Sequence, residues 1–92
     1  MAAANPVSVR IRSSGLSSRK VGGELVILDF ASSKYFTIRG SGMFLFELLR
    51  EKHDREELVV ALLARFDVDE DIARHDVDTF LSELSDAGLL ST

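Results

Sequence analysis

Hydrophobic and polar positions divide the chain into a strand-like first half and a helical second half. Val7, Val9 and Ile11 alternate with Ser8, Arg10 and Arg12, the period-2 pattern of a half-buried strand over residues 7–12. Residues 13–20 are rich in Ser and Gly and are expected to form a loop, and Gly22-Gly23 marks a turn. Leu25, Val26, Ile27, Leu28 and Phe30 make residues 24–30 a second, almost continuously apolar strand. Residues 31–34 form a polar link of hairpin length. Tyr35, Phe36, Thr37 and Ile38 are all aromatic or β-branched, and predict a third strand over 35–38. Three strands with short links predict an antiparallel meander.

Gly40-Ser41-Gly42 breaks the sheet, with Ser41 the expected N-cap of a helix over residues 43–52. Met43, Phe44, Leu45, Phe46, Leu48 and Leu49 cover more than one helical face, which predicts a helix buried between two layers. Asp54 followed by Glu57 has the spacing of a capping box, and Leu58, Leu62 and Phe66 form the stripe of a second helix. Asp69 is the expected cap of a third helix, with Val68 stapled against Ala73. Its inward stripe is Ala73, Val77, Phe80, Leu81 and Leu84. Gly88 is the expected C-cap, after which Leu89-Leu90 folds back on the core. Strands followed by helices predict an α+β domain. A three-stranded sheet covered by helices on one face keeps two edges, and an uncovered edge invites another strand.

At 92 residues the chain has room for one hydrophobic core. It has no Cys, so no disulfide, thiol nucleophile or Cys-ligated metal is expected. No apolar run approaches the roughly 18 residues of a membrane span. Residues 1–6 are small and polar, are expected to be loose, and carry no secretory signal. The expected location is the cytoplasm. The charge is uneven. Residues 1–23 hold Arg10, Arg12, Arg19 and Lys20 and no acid, whereas the remainder balances at −8, for a total of −4. A solvated, frayed edge is the plain reading of the basic arm.

Catalytic constellations are missing. Gly40-Ser41-Gly42 lacks the Lys-Ser/Thr of a P-loop and the spacing of a dinucleotide fingerprint. His53 and His75 lie among charged residues with no nucleophile beside them, and read as surface histidines. Asp67, Asp69, Glu70 and Asp71 lack the Gly and distal Glu of a calcium loop, and read as helix-terminal acids. No cofactor and no metal site is expected, and an enzyme is not.

The ordered series Val26-Ile27-Leu28-Asp29, Lys34-Tyr35-Phe36-Thr37-Ile38, Gly42-Met43-Phe44-Leu45-Phe46-Glu47-Leu48-Leu49, Phe66-Asp67-Val68, Asp76-Val77-Asp78-Thr79-Phe80-Leu81 and Leu84-Ser85-Asp86-Ala87-Gly88-Leu89-Leu90 resembles the PqqD-like family, the precursor-peptide recognition elements of ribosomal peptide pathways. It covers residues 7–90 and departs from the family pattern at Arg39-Gly40, where an Asn is expected. The resemblance implies a winged-helix-like domain over residues 7–92, three antiparallel strands on three helices. It implies a non-catalytic adaptor that binds the leader of a precursor peptide as a further strand on the third strand, beside the third helix. The small size, Ser/Gly loop and acidic helical half most resemble the free-standing leader-binding proteins of lasso-peptide pathways. The implied partners are the leader peptide, a separate transglutaminase-like cysteine peptidase and an asparagine-synthetase-like cyclase, with no nucleic acid and no membrane.

On this reading Lys34, Tyr35, Phe36, Thr37 and Ile38 offer the backbone edge. Phe36 and Ile38 face the core and Tyr35 the groove rim. Val77 and Leu81 are expected to line the pocket, with Arg74 and Asp78 fixing polar groups of the leader; the plainer reading makes the first two core and the last two an i,i+4 surface pair. The alternative function is a winged-helix DNA-binding regulator, since the architecture is similar; the acidic helical half opposes it.

Overall fold

A polar segment, rather than the alternating one before it, builds the first strand of the main sheet. The computed structural model describes residues 7–91, so the expectation for residues 1–6 lies outside the described part. Three strands, β2 (Leu16–Val21), β3 (Glu24–Asp29) and β4 (Lys34–Arg39), form an antiparallel meander in the order β2-β3-β4. The expected loop over residues 13–20 is therefore largely strand. Its Ser-rich sequence is compatible with an edge strand that buries little: β2 is exposed except at Leu16. It pairs with β3 along its whole length, from Leu16↔Asp29 to Val21↔Glu24.

The alternating segment does something else. Of residues 7–12 only β1 (Arg10–Ile11) is a strand, and it pairs with β5 (Leu90–Ser91) in a separate two-stranded ribbon. Val9 bridges His53 through a reciprocal pair of backbone bonds of 2.9 and 3.0 Å. Alternation correctly marks Ile11 as buried; it does not say which strand the segment joins.

Three helices follow, α1 (Ser41–Leu48), α2 (Arg55–Arg65) and α3 (Glu70–Asp86). α1 starts two residues earlier and ends four earlier than its apolar pattern predicts. Ser41 is its first helical residue, and the N-cap is Gly40 at φ 57°, with no side-chain capping bond. At the other end the Leu49 carbonyl accepts from Ile11 N–H at 2.7 Å, which ties the chain to the N-terminal arm instead of continuing the helix. The Asp54–Glu57 capping box of α2 is complete in both directions. Asp69 is the N-cap residue of α3 but makes no side-chain capping bond.

At the end of α3, Gly88 N–H bonds Ser85 O (3.0 Å) and Leu89 N–H bonds Leu84 O (2.9 Å), a Schellman motif. Gly88 stands at φ 73°, where a Cβ would be strained. That turn drives Leu89 back into the core. Leu25, Ile27 and Ile38 from the sheet meet Leu45, Phe46 and Leu49, then Leu58 and Leu62 of α2 and Ala73, Val77 and Leu84 of α3. Each fully buried leucine contributes about 1.5–3 kcal/mol.

Candidate functional site

β4 is one edge of the sheet: it pairs with β3, and among the described residues nothing pairs with its other side. Every second residue of an edge strand directs its N–H and C=O outward. The register fixes the side chains. Leu25↔Ile38 and Ile27↔Phe36 put Phe36 and Ile38 on the inner face, while Tyr35, 72% exposed, and Thr37 lie on the outer one.

α3 runs beside this edge and leaves a groove of about 290 Å³. Its strand wall is Phe36, Thr37, Ile38 and Arg39, and its helix wall is Phe80, Glu83 and Leu84, closed by Ala87, Leu89 and Gly42. Gly42 is needed for closeness. A Cβ there would stand 3.0 Å from Ile38 Cγ2 and 3.2 Å from Phe80 Cε1. The groove is apolar along its floor with two charged groups at its rim, and Arg39 is already ion-paired to Glu24. Among the described residues the C-terminal segment does not seal it, because β5 turns away to pair with β1.

The residues named from the sequence separate into two groups. Lys34, Tyr35, Phe36, Thr37 and Ile38 all lie on β4, and the last three line the groove. Arg74, Val77, Asp78 and Leu81 are not brought to it. Val77 is wholly buried. Arg74 and Asp78 are engaged across the α2–α3 seam. Arg74 Nη2 donates to Glu56 Oε1 (3.0 Å) and Nε to Glu70 Oε2 (2.9 Å). Arg55 Nη2 donates to Asp78 Oδ2 at 2.9 Å. The pairs perturb one another: Arg55 holds the Asp78 carboxyl below its ordinary value, and Arg74 does the same to Glu56. At about 100° per residue, Leu81 and Arg74 lie roughly a quarter-turn or more around α3 from Phe80. The helix-wall residues Phe80 and Leu84 did carry a signal, as an i,i+4 apolar pair within the inward stripe; Glu83, Ala87 and Gly42 carried none.

Among the described residues no three His, Asp or Glu side chains gather to hold a metal ion, and no helix is long and apolar enough to cross a membrane.

Together these features define a small winged-helix-like α+β domain with one strand edge left open against a helix. The chain belongs to the PqqD family: the family described as coenzyme PQQ synthesis protein D (PqqD) matches residues 24–90. Two solved structures are similar to it. One, TbiB1 in complex with the TbiA(beta) leader peptide, is 30% identical, with 89% of this chain and 94% of that chain covered and a TM-score of 0.77. The other, lasso peptide synthetase B1 complexed with the leader peptide, has a TM-score of 0.79 over 94% of this chain and 100% of that one. At 19% identity the second shows the shared fold. No curated protein matches the chain.

Proposed function

We propose that the protein is a non-catalytic adaptor that binds the leader segment of a ribosomally made precursor, of the lasso class, by strand addition to β4, and presents it to a separate peptidase and cyclase. The carrying observation is the unpaired β4 edge lying against an apolar groove. The similarity to TbiB1, whose structure holds a leader peptide, supports the same reading.

Energetics require both parts of that site. Each backbone hydrogen bond contributes about 0.5–1.5 kcal/mol net, while association costs about 4–15 kcal/mol. A few ladder bonds alone do not hold a peptide. Apolar side chains of the leader, at about 1.5–3 kcal/mol each when buried, supply the remainder against Phe36, Phe80 and Leu84. The ladder fixes register; the groove selects sequence. The acidic surface of α3 disfavours DNA as the ligand.

The test is a titration of the ¹⁵N-labelled protein with a synthetic leader taken from the precursor gene neighbouring its own. Amide signals of β4 and of α3 between Phe80 and Ala87 are expected to shift saturably, and alternate β4 amides to gain protection from hydrogen exchange. Shifts confined to α2, or none, would overturn the proposal.

A further inference from the structure

Arg10, Arg12, Arg19 and Lys20 take no part in the β4 groove; they lie at the opposite margin of the sheet. There β2 pairs with β3 on one side, and among the described residues nothing pairs with the other. A cleft of about 210 Å³ opens at this margin, between β2, the segment leading from β1 and the C-terminal end of α1. Arg10, Arg12 and Arg50 line it with Ser13, Ser17 and Ser18.

The guanidiniums are held in place but not saturated. Arg50 is gripped by Glu47 through Nε (2.8 Å) and Nη2 (3.2 Å), and the same Nη2 reaches over β2 to Ser18 Oγ at 3.5 Å. Arg12 Nη2 stands 3.0 Å from Asp29 Oδ1 as an ion pair without hydrogen-bond alignment, and its buried Nε has no partner among the described residues. Buried donors without acceptors are rare in folded proteins. Three cations, Arg10, Arg12 and Arg50, line the cleft against two neighbouring carboxylates, Asp29 on Arg12 and Glu47 on Arg50, so the cleft is positive in a chain whose total is −4.

We propose that the β2 margin is a second docking edge, which takes an extended acidic segment of a partner protein. The partner's backbone pairs with β2, and its Asp or Glu carboxylates enter the Arg10–Arg12–Arg50 cleft. Guanidinium matches carboxylate geometry in two-pronged pairs, and serine hydroxyls add donors. Ile11, Leu16, Ile27 and Phe46 share the lining, so the guanidiniums, and not a lack of apolar surface, set the preference. Duplex DNA fits less well, because Asp29 and Glu47 stand beside the cleft, paired to Arg12 and Arg50, and α3 carries Glu70, Asp71, Asp76, Asp78, Glu83 and Asp86. This inference stands independently of what occupies β4.

The probe is a capped octapeptide of alternating Glu and Thr, with a Lys-Thr octapeptide as control, titrated into the full chain and followed by amide and arginine Nε NMR signals. The Glu-Thr peptide is expected to shift β2 amides and the Arg50 Nε signal saturably, with weaker binding at higher salt. The Lys-Thr peptide is expected to leave them unmoved. Arg10→Glu with Arg50→Glu, the first half-buried and the second exposed, should raise the midpoint at least about tenfold, while unshifted β4 signals show the fold intact. The proposal is overturned by no saturable shift, by an equal response to the Lys-Thr peptide, or by tighter binding of a duplex DNA than of the Glu-Thr peptide. Saturation by inorganic phosphate without any response to the peptide would also overturn it.

Discussion

The two margins of one small sheet present the same backbone vacancy with opposite surroundings. β4 runs beside α3, and the space between them is floored by Phe36, Ile38, Phe80 and Leu84. The β2 cleft, against the end of α1, sets Arg10, Arg12, Arg50 and three serines beside Ile11, Leu16, Ile27 and Phe46. Unpaired N–H and C=O groups are common to both and cannot choose between ligands. The walls choose: an apolar groove favours a segment with hydrophobic anchors, and a guanidinium cleft favours carboxylates. The difference originates in the chain order. The apolar helix stripe is supplied by the C-terminal half, while residues 1–23 carry bases and no acid, and Arg50 joins Arg10 and Arg12 from the end of α1.

The largest break in this contrast is expected from Phe80→Asp. Phe80 lies in the helix wall and is only partly buried, so the fold tolerates the change better than at Leu84. A carboxylate in the groove removes an apolar contact and adds a charge that the leader's anchors must desolvate. Leader affinity should fall on the order of 100-fold by calorimetric titration, with binding of the Glu-Thr peptide at β2 unchanged. Loss at both margins together would show that they are not independent.

A moderate effect is expected at Asp29, which ends β3 at the foot of the β2 cleft. Burial by itself would raise its carboxyl. The Arg12 guanidinium, the Ala31 amide at 3.0 Å and the Ser32 hydroxyl outweigh burial and hold it below the ordinary value. A carboxyl depressed in the folded state contributes stability above its unfolded pKa, about 3.9, and loses it as pH falls through the folded value. Urea midpoints should therefore decline below about pH 4. Asp29→Asn should lower the midpoint at pH 7 and flatten that decline. An unchanged acid slope would place the sensitivity elsewhere.

Features set by local chemistry were legible in the sequence. The Asp54–Glu57 box and the Gly88 turn need only a few adjacent residues, and both form as expected. The third strand and its inner face, Phe36 and Ile38, followed from β-propensity and period 2. The Ser41 cap failed locally, since Gly40 caps α1 instead; the larger failures depended on partners far along the chain. Residues 16–21 look like loop because an exposed edge strand has no apolar pattern to show, and residues 7–12 look like part of the sheet because alternation does not name a pairing partner. The wall of α3 was obscured for a related reason. Its stripe from Ala73 to Leu84 serves two contacts, the core beneath and the sheet edge beside it. Periodicity does not divide one from the other. That division is a rotation about the helix axis, settled only when α2 claims Arg74 and Asp78.

The smallest effect is expected where that division is tested directly. Arg74→Gln and Asp78→Asn each cut a cross-helix ion pair on an exposed seam, with Glu56 and Arg55 respectively. Such pairs gain little in water, because the side chains surrender entropy and the charges are screened, so leader affinity should stay within about twofold. The urea midpoint should move barely more than its error and less still at high salt, since screening has already weakened the pair. A tenfold loss of leader affinity in either variant, with the fold intact, would carry the leader out of the β4 groove and onto the α2–α3 seam. The contrast between an apolar and a basic margin would then have to be rebuilt around a site on the helices.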